Sequence, residues 1–209
     1  DFVIHAAALK DIVKCENDPI EAIKTNIEGS KNVVLASIYN DIKKCILIST
    51  DKAVYPVNLY GASKMVAERL FIDANKYSKF TQFSVCRYGN VVGSRGSVIQ
   101  LFLKQKQEKK LRVTSFDMTR FWIKLDEVAR FIVNCIYETK GKEIFIPKMQ
   151  SCKIIDVARI IGDGCEIEEI GIRESEKIHE CLITNEESNH CKILDDKYII
   201  DYDYYTPLQ

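Results

Sequence analysis

The sequence predicts an α/β fold, a doubly wound and mostly parallel sheet with a smaller α/β part attached. Three observations lead there. Short apolar runs rich in β-branched residues at 2–7, 45–48 and 81–88 read as buried strands. Stretches of helical apolar spacing separate them, as βαβ units require. Each run closes on small or polar residues, at the strand end where open α/β sheets bind their ligands.

Taken in order, the first strand ends in the small residues Ala6 and Ala7. Such residues permit close approach of a ligand, or simply tight strand-to-helix packing, and the two readings are compatible. Asp18-Pro19-Ile20-Glu21 opens a helix, with Asp18 as N-cap and Pro19 in the first position. Ile23, Ile27, Val33, Val34 and Ile38 then mark its core face.

The strand at 45–48 leads into Ser49-Thr50-Asp51-Lys52-Ala53-Val54-Tyr55-Pro56-Val57-Asn58-Leu59-Tyr60-Gly61-Ala62-Ser63-Lys64, and helical spacing continues through Phe71. Tyr60 and Lys64 are four apart, so a helix projects both from one face. An ammonium beside a phenol favours the phenolate and makes the tyrosine usable as a base. In isolation the pair reads better as a surface tyrosine lying on a lysine stem. Its setting, after a strand and a Thr50-Asp51-Lys52 cluster, favours chemistry.

The strand at 81–88 is followed by Gly89, Gly93 and Gly96 among polar residues, a loop whose amides suit a sugar diphosphate or an ordinary connection. Beyond residue 98 the elements shorten. A basic helix is expected at 100–110, strands at 111–114 and 143–147, and helices at 126–137 and 154–161. Phe121 and Trp122 read as core anchors, and Arg120 as a phosphate ligand or a structural salt bridge. The tail from 192 to 209 is rich in Asp, Tyr and Ile.

Thirty basic residues balance thirty acidic ones, which argues against a nucleic-acid or anionic-membrane partner. Of eight scattered cysteines without a Cys-x-x-Cys pair, most are expected to be buried free thiols in a reducing compartment, the cytoplasm. His5, His179 and His190 show no zinc-ligand spacing, so no metal is expected. No apolar run reaches membrane-spanning length.

Three segments resemble the extended short-chain dehydrogenase/reductases, more narrowly the inverting UDP-N-acetylglucosamine 4,6-dehydratases of polysaccharide biosynthesis. They are Ser49 to Lys64, Arg87-Tyr88-Gly89-Asn90-Val91-Val92-Gly93-Ser94-Arg95-Gly96-Ser97, and Met118-Thr119-Arg120-Phe121-Trp122-Ile123. The resemblance implies a Rossmann-like sheet, with residues 1–97 as a partial NAD(P)-binding domain and 98–209 as the UDP-sugar-binding part. It implies Tyr60 as base, Lys64 as its partner on the nicotinamide ribose, Thr50 on the sugar C4 oxygen, Lys52 as the C5 base and Asp51 as the acid for the departing C6 hydroxyl. Ala6, Lys10, Ile48 and Ser49, with Tyr60 and Lys64, fall at cofactor positions. Lys10, Asn90, Thr114 and Arg173 fall at substrate positions, and Asn26 matches an asparagine that positions the tyrosine and lysine.

Gly171-Ile172-Arg173-Glu174-Ser175-Glu176-Lys177-Ile178-His179-Glu180 is similar to a family segment in which Pro-Gly stands where Glu174-Ser175 does. NADP is the expected cofactor, with NAD as alternative, and a homo-oligomer is expected. The sequence contains no Gly-x-Gly-x-x-Gly turn. By the resemblance, the first three strands would precede Asp1, roughly 70–80 residues at about 30 per βαβ unit. Two other readings stay open: a UDP-sugar 4-epimerase of the same fold, and an inactive fragment or pseudoenzyme serving as an interaction module.

Overall fold

A computed structural model of the chain describes residues 1–94 and 96–203. Arg95 of the quoted loop and positions 204–209 of the tail lie outside the described residues. The chain opens with β1 (Phe2–His5), α1 (Ile12–Asn17), α2 (Pro19–Ile23), a π-helical turn (Lys24–Glu28) and α3 (Gly29–Tyr39). Next come β2 (Lys44–Thr50), a 3-10 turn (Asp51–Ala53), α4 (Leu59–Ala74) and β3 (Gln82–Tyr88). The middle holds β4 (Asn90–Val91), α5 (Val98–Gln105), β5 (Lys110–Val113), β6 (Thr119–Ile123) and α6 (Leu125–Glu138). The rest is β7 (Glu143–Pro147), β8 (Gln150–Lys153), α7 (Ile154–Ile161), β9 (Glu166–Glu169), α8 (Asn185–Ser188), β10 (Cys191–Ile193) and β11 (Lys197–Asp201).

Two compact units result. Unit 1 takes Asp1–Tyr88, Ala129–Lys148 and the described residues from Cys181 onward, while unit 2 takes Gly89–Val128 and Met149–Glu180. Unit 1 is built on a six-stranded sheet in the order β1-β2-β3-β7-β11-β10. β1, β2, β3 and β7 run parallel, and β11 and β10 are added antiparallel. The chain thus crosses back to this sheet after leaving it at β3.

Alternation along the strands explains why both faces are wound. Cys45 and Leu47 on β2, Phe83 and Val85 on β3, and Ile144 and Ile146 on β7 turn to one face, where Val34 of α3 and Ala67 and Phe71 of α4 cover them. Ile46, Cys86 and Phe145 turn the other way and meet Phe131, Ile132, Cys135 and Ile136 of α6. Near-continuous apolar strands are what a sheet buried on both faces requires.

Unit 2 has its own core of Phe102, Leu111, Val113, Met118, Ile154 and Ala158, against which Trp122 packs as the sequence leads one to expect. β9 was not expected, because Glu166, Glu168 and Glu169 look unlike a strand. Its register explains it: Lys110 of β5 lies within 3.4 Å of Glu166 and 3.2 Å of Glu168, so opposite charges pair across the strands. The basic helix expected at 100–110 ends earlier, and a 3-10 turn follows it to Lys109, whose φ of 55° stops the helix. Among the described residues no helix is long and apolar enough to cross a membrane. All eight cysteines are free thiols, and of these Cys181 is exposed.

Candidate active site

At the carboxyl end of β2 the backbone turns sharply. Thr50 is extended (φ −145°, ψ 154°) and caps the 3-10 turn, its Oγ1 accepting from Lys52 N at 3.4 Å. This turn carries the predicted acid and base. Asp51 is fully buried, and its Oδ1 accepts from Thr50 Oγ1 and from Lys52 Nζ, each at 3.0 Å. Asp51 and Lys52 therefore form an ion pair. It uses only one carboxylate oxygen. Asp51 Oδ2 and the neighbouring Ser49 Oγ are buried with no hydrogen-bond partner among the described residues. Buried oxygens of this kind are costly to leave unpaired, so they mark where a ligand's donors fit.

Helix α4 begins after five intervening residues, with Asn58 as its N-cap: Asn58 Oδ1 accepts from Gly61 N at 2.8 Å. Gly61 is required by contact. A Cβ there would stand 2.2 Å from the Lys52 carbonyl oxygen, so the first turn of the helix lies directly on the Asp51-Lys52 backbone. Gly61→Ala is expected to push the two apart and lower stability by about 1–3 kcal/mol, read as a fall in the denaturant midpoint.

The same helix presents Tyr60 and Lys64, as their spacing requires. The expected lowering of the phenol's pKa by Lys64 needs correcting. Burial pushes the Tyr60 phenol up, the Thr50 hydroxyl pulls it back in part, and Asp51, Tyr88 and Cys15 raise it further. Lys64 is itself 97% buried, and desolvation lowers it to about 8 although Glu68 acts the other way. Burial thus dominates both groups.

Asn26 is bonded to the helix that carries this pair, through Ser63. It lies 1% exposed in the π-helical turn that interrupts the helix expected to run unbroken from Asp18. Its Oδ1 accepts from Leu9 N (2.8 Å), while Nδ2 donates to Leu9 O and to Ser63 Oγ (both 2.9 Å). Ser63 in turn donates to the Tyr60 carbonyl at 2.8 Å. The widened turn is a local irregularity of the sort that collects at functional sites.

Of the other predicted residues, Ala6 and Lys10 are exposed beyond β1, and Ile48 and Ser49 lie on β2. Asn90, Thr114 and Arg173 belong to unit 2. Asn90 stands on β4 opposite Trp122, Thr114 follows β5 with its Oγ1 3.3 Å from Met118 Sδ, and Arg173 is mostly exposed, 3.6 Å from Glu176. Arg120 is neither a salt bridge nor free for phosphate. Its guanidinium donates to the carbonyls of Thr119, Ile178 and Lys177 at 2.7–3.0 Å and so ties down the segment before Glu180. Among the described residues no group of three or more His, Cys, Asp or Glu could hold a metal ion.

Sequence reasoning missed three partners. Glu68 follows Lys64 by one helical turn, Arg87 meets it from β3, and Glu187 reaches Arg87 from α8. The capping box of Thr184 and Glu187 was a visible signal for the last.

The profile of a family described as "Polysaccharide biosynthesis protein" matches residues 1–202. The UDP-N-acetylglucosamine 4,6-dehydratase (inverting) of Campylobacter jejuni is 49% identical over 193 residues, covering 90% of this chain and 58% of that protein. The UDP-glucose 4-epimerase of Rickettsia canadensis is 40% identical over 210 residues, covering 97% and 62%. The chain therefore spans about three fifths of the length of these relatives. The crystal structure of Pen from Bacillus thuringiensis superposes with a TM-score of 0.91 at 39% identity, over all of this chain and 66% of that one.

Proposed function

The chain belongs to the polysaccharide biosynthesis protein family, and from that premise we propose that it carries the catalytic part of a C5-inverting UDP-N-acetylglucosamine 4,6-dehydratase. The observation behind this reading is the buried Asp51 carboxylate with one unpaired oxygen, joined to Lys52 directly beneath the first turn of the Tyr60–Lys64 helix. A 4-epimerase needs a base and its cation. Dehydration also needs a second base and an acid, and Lys52 and Asp51 fit those parts.

The β2 end fits a nicotinamide dinucleotide: Ala6 and Ala7 leave the β1 end open, Ser49 Oγ is unpaired, and Lys64 can serve ribose hydroxyls. An oxidised nicotinamide, NADP by preference, would supply the acceptor for the C4 hydride and its return to C6, and its positive charge would favour ionisation of the phenol. Tyr60 then removes the C4 hydroxyl proton while Thr50 orients the C4 oxygen. The resulting ketone acidifies the C5 hydrogen. Transfer of a proton from the Lys52 ammonium to Asp51 across their 3.0 Å contact leaves Lys52 neutral to remove that hydrogen, and Asp51 then gives the transferred proton to the departing C6 hydroxyl, so water leaves. Reprotonation of C5 from the opposite face gives inversion. We assign Lys10, Asn90, Thr114 and Arg173 to the UDP-sugar, and we expect the active protein to be a homo-oligomer.

The relatives named UDP-glucose 4-epimerase support a second reading. Mass spectrometry on the full-length protein with UDP-N-acetylglucosamine and NADP separates the two. Loss of one water establishes the dehydratase; an isomer of unchanged mass, with the C4 configuration altered, overturns it.

A further inference from the structure

The most fully bonded side chain of unit 1 lies outside the residues assigned to chemistry. Arg87, near the end of β3, is 2% exposed. Its Nε and Nη2 donate to the two oxygens of Glu68 at 3.0 and 2.6 Å, and Nη2 and Nη1 donate to those of Glu187, both at 2.9 Å. Nη1 also donates to Leu182 O at 2.8 Å. All five guanidinium N–H donors are thereby used. Two carboxylates share one cation, so the buried trio carries a net charge of −1. Burial of an uncompensated charge is expensive, and it needs a second cation nearby.

Lys64 is that cation. It precedes Glu68 by four residues on α4, on the same helix face, and is as deeply buried. Arg69 also acts on Glu187, but from an exposed position where solvent screens it, and its guanidinium is engaged by Tyr202 OH at 3.0 Å. Among the other titratable groups, His5 on β1 faces Lys64 but is held neutral, its pKa lowered by burial and then by Lys64 itself. Asp51, Tyr88 and Cys15 act on Tyr60.

We infer that Glu187 is a positioning residue for Lys64: by occupying half of Arg87 it leaves Glu68 part of its negative charge, and that charge holds the Lys64 ammonium in the site. Without Glu187, Arg87 and Glu68 neutralise each other and Lys64 loses its counter-charge. The inference rests on the reading of Lys64 as the active lysine, but not on which sugar reaction follows.

The test is direct titration of Lys64 by the chemical shift of its 13C-labelled ε-carbon in the full-length protein, assigned by the signal's loss in Lys64→Met. Glu187→Gln keeps shape and removes charge, so Lys64 is expected to titrate roughly half a pH unit or more lower, and Glu68→Gln further still. Glu187→Asp keeps charge and shortens reach, so it is expected to lower the melting temperature while leaving the Lys64 titration near that of the unsubstituted protein. A Lys64 titration unmoved by Glu187→Gln, or moved equally by Glu187→Asp, overturns the inference and leaves Glu187 a structural fastening. The dehydratase reading can fail in the mass assay without affecting this result.

Discussion

Tyr60→Phe and Lys52→Met are expected to stop the reaction at different steps, each lowering turnover by about 10²–10⁴-fold, the usual worth of a positioned acid or base. Tyr60 acts first. Its phenylalanine variant keeps the ring packed beside Thr50 but cannot accept the C4 hydroxyl proton, so neither reduced nicotinamide nor exchange at C5 should appear. Lys52 acts second. Its methionine variant leaves Tyr60, Lys64 and Thr50 in place, so hydride should still leave C4 and reduced nicotinamide should still be detectable by absorbance. What should vanish is uptake of deuterium at C5 from heavy water, together with loss of water from the sugar. Methionine also frees Asp51 Oδ1 from its 3.0 Å ion pair, so some loss of stability accompanies the loss of turnover. Equal C5 exchange in Lys52→Met and the unsubstituted protein would move the base elsewhere.

Lys64→Met is expected to inactivate the protein and to change how its stability varies with pH. Desolvation lowers Lys64 from 10.5 to about 8, which corresponds to about 3 kcal/mol that the folded state gives up at neutral pH to keep this ammonium buried. Replacing it by an apolar side chain of similar length removes that cost, but it also leaves the net charge of Glu68, Arg87 and Glu187 without its cation, so the two effects oppose each other at neutral pH. The pH dependence separates them. Below about 8 both folded and unfolded chains carry the proton, and the whole desolvation cost weighs on the unsubstituted protein. Between 8 and 10.5 the folded lysine is neutral while the unfolded one is still charged, so the unsubstituted protein gains stability as pH rises and the variant does not. Parallel stability curves for the two proteins across this range would overturn the prediction.

The parts legible in the sequence are those decided by near neighbours. β7 and α7 fall where their apolar patterns place them, and Asn58 caps α4 as its position before the helix requires. Tyr60 and Lys64 share a face because the helix period puts them there. Long-range partners are another matter. Asn26 finds Ser63 across 37 residues, and Arg87 finds Glu187 across 100, and no local spacing encodes either. Charge can also override propensity: β9 is acidic and unlike a strand until Lys110 and Arg112 stand opposite. Arg120 was misread because an arginine in a motif suggests an anion, whereas here backbone carbonyls take its donors.

The sharing of Arg87 has a consequence for the nascent chain. Translation proceeds at about 5–20 residues per second, so the 95 residues that separate Arg87 from Leu182 delay the second half of its bonds by roughly 5–20 s. For that interval α4 can pack on β2 and β3 with Arg87 held by Glu68 alone, three of its five donors still open to water. The helix that bears Tyr60 and Lys64 thus matures late on the ribosome, and a chain stalled before Glu187 would display an unsatisfied arginine as a mark of its incompleteness.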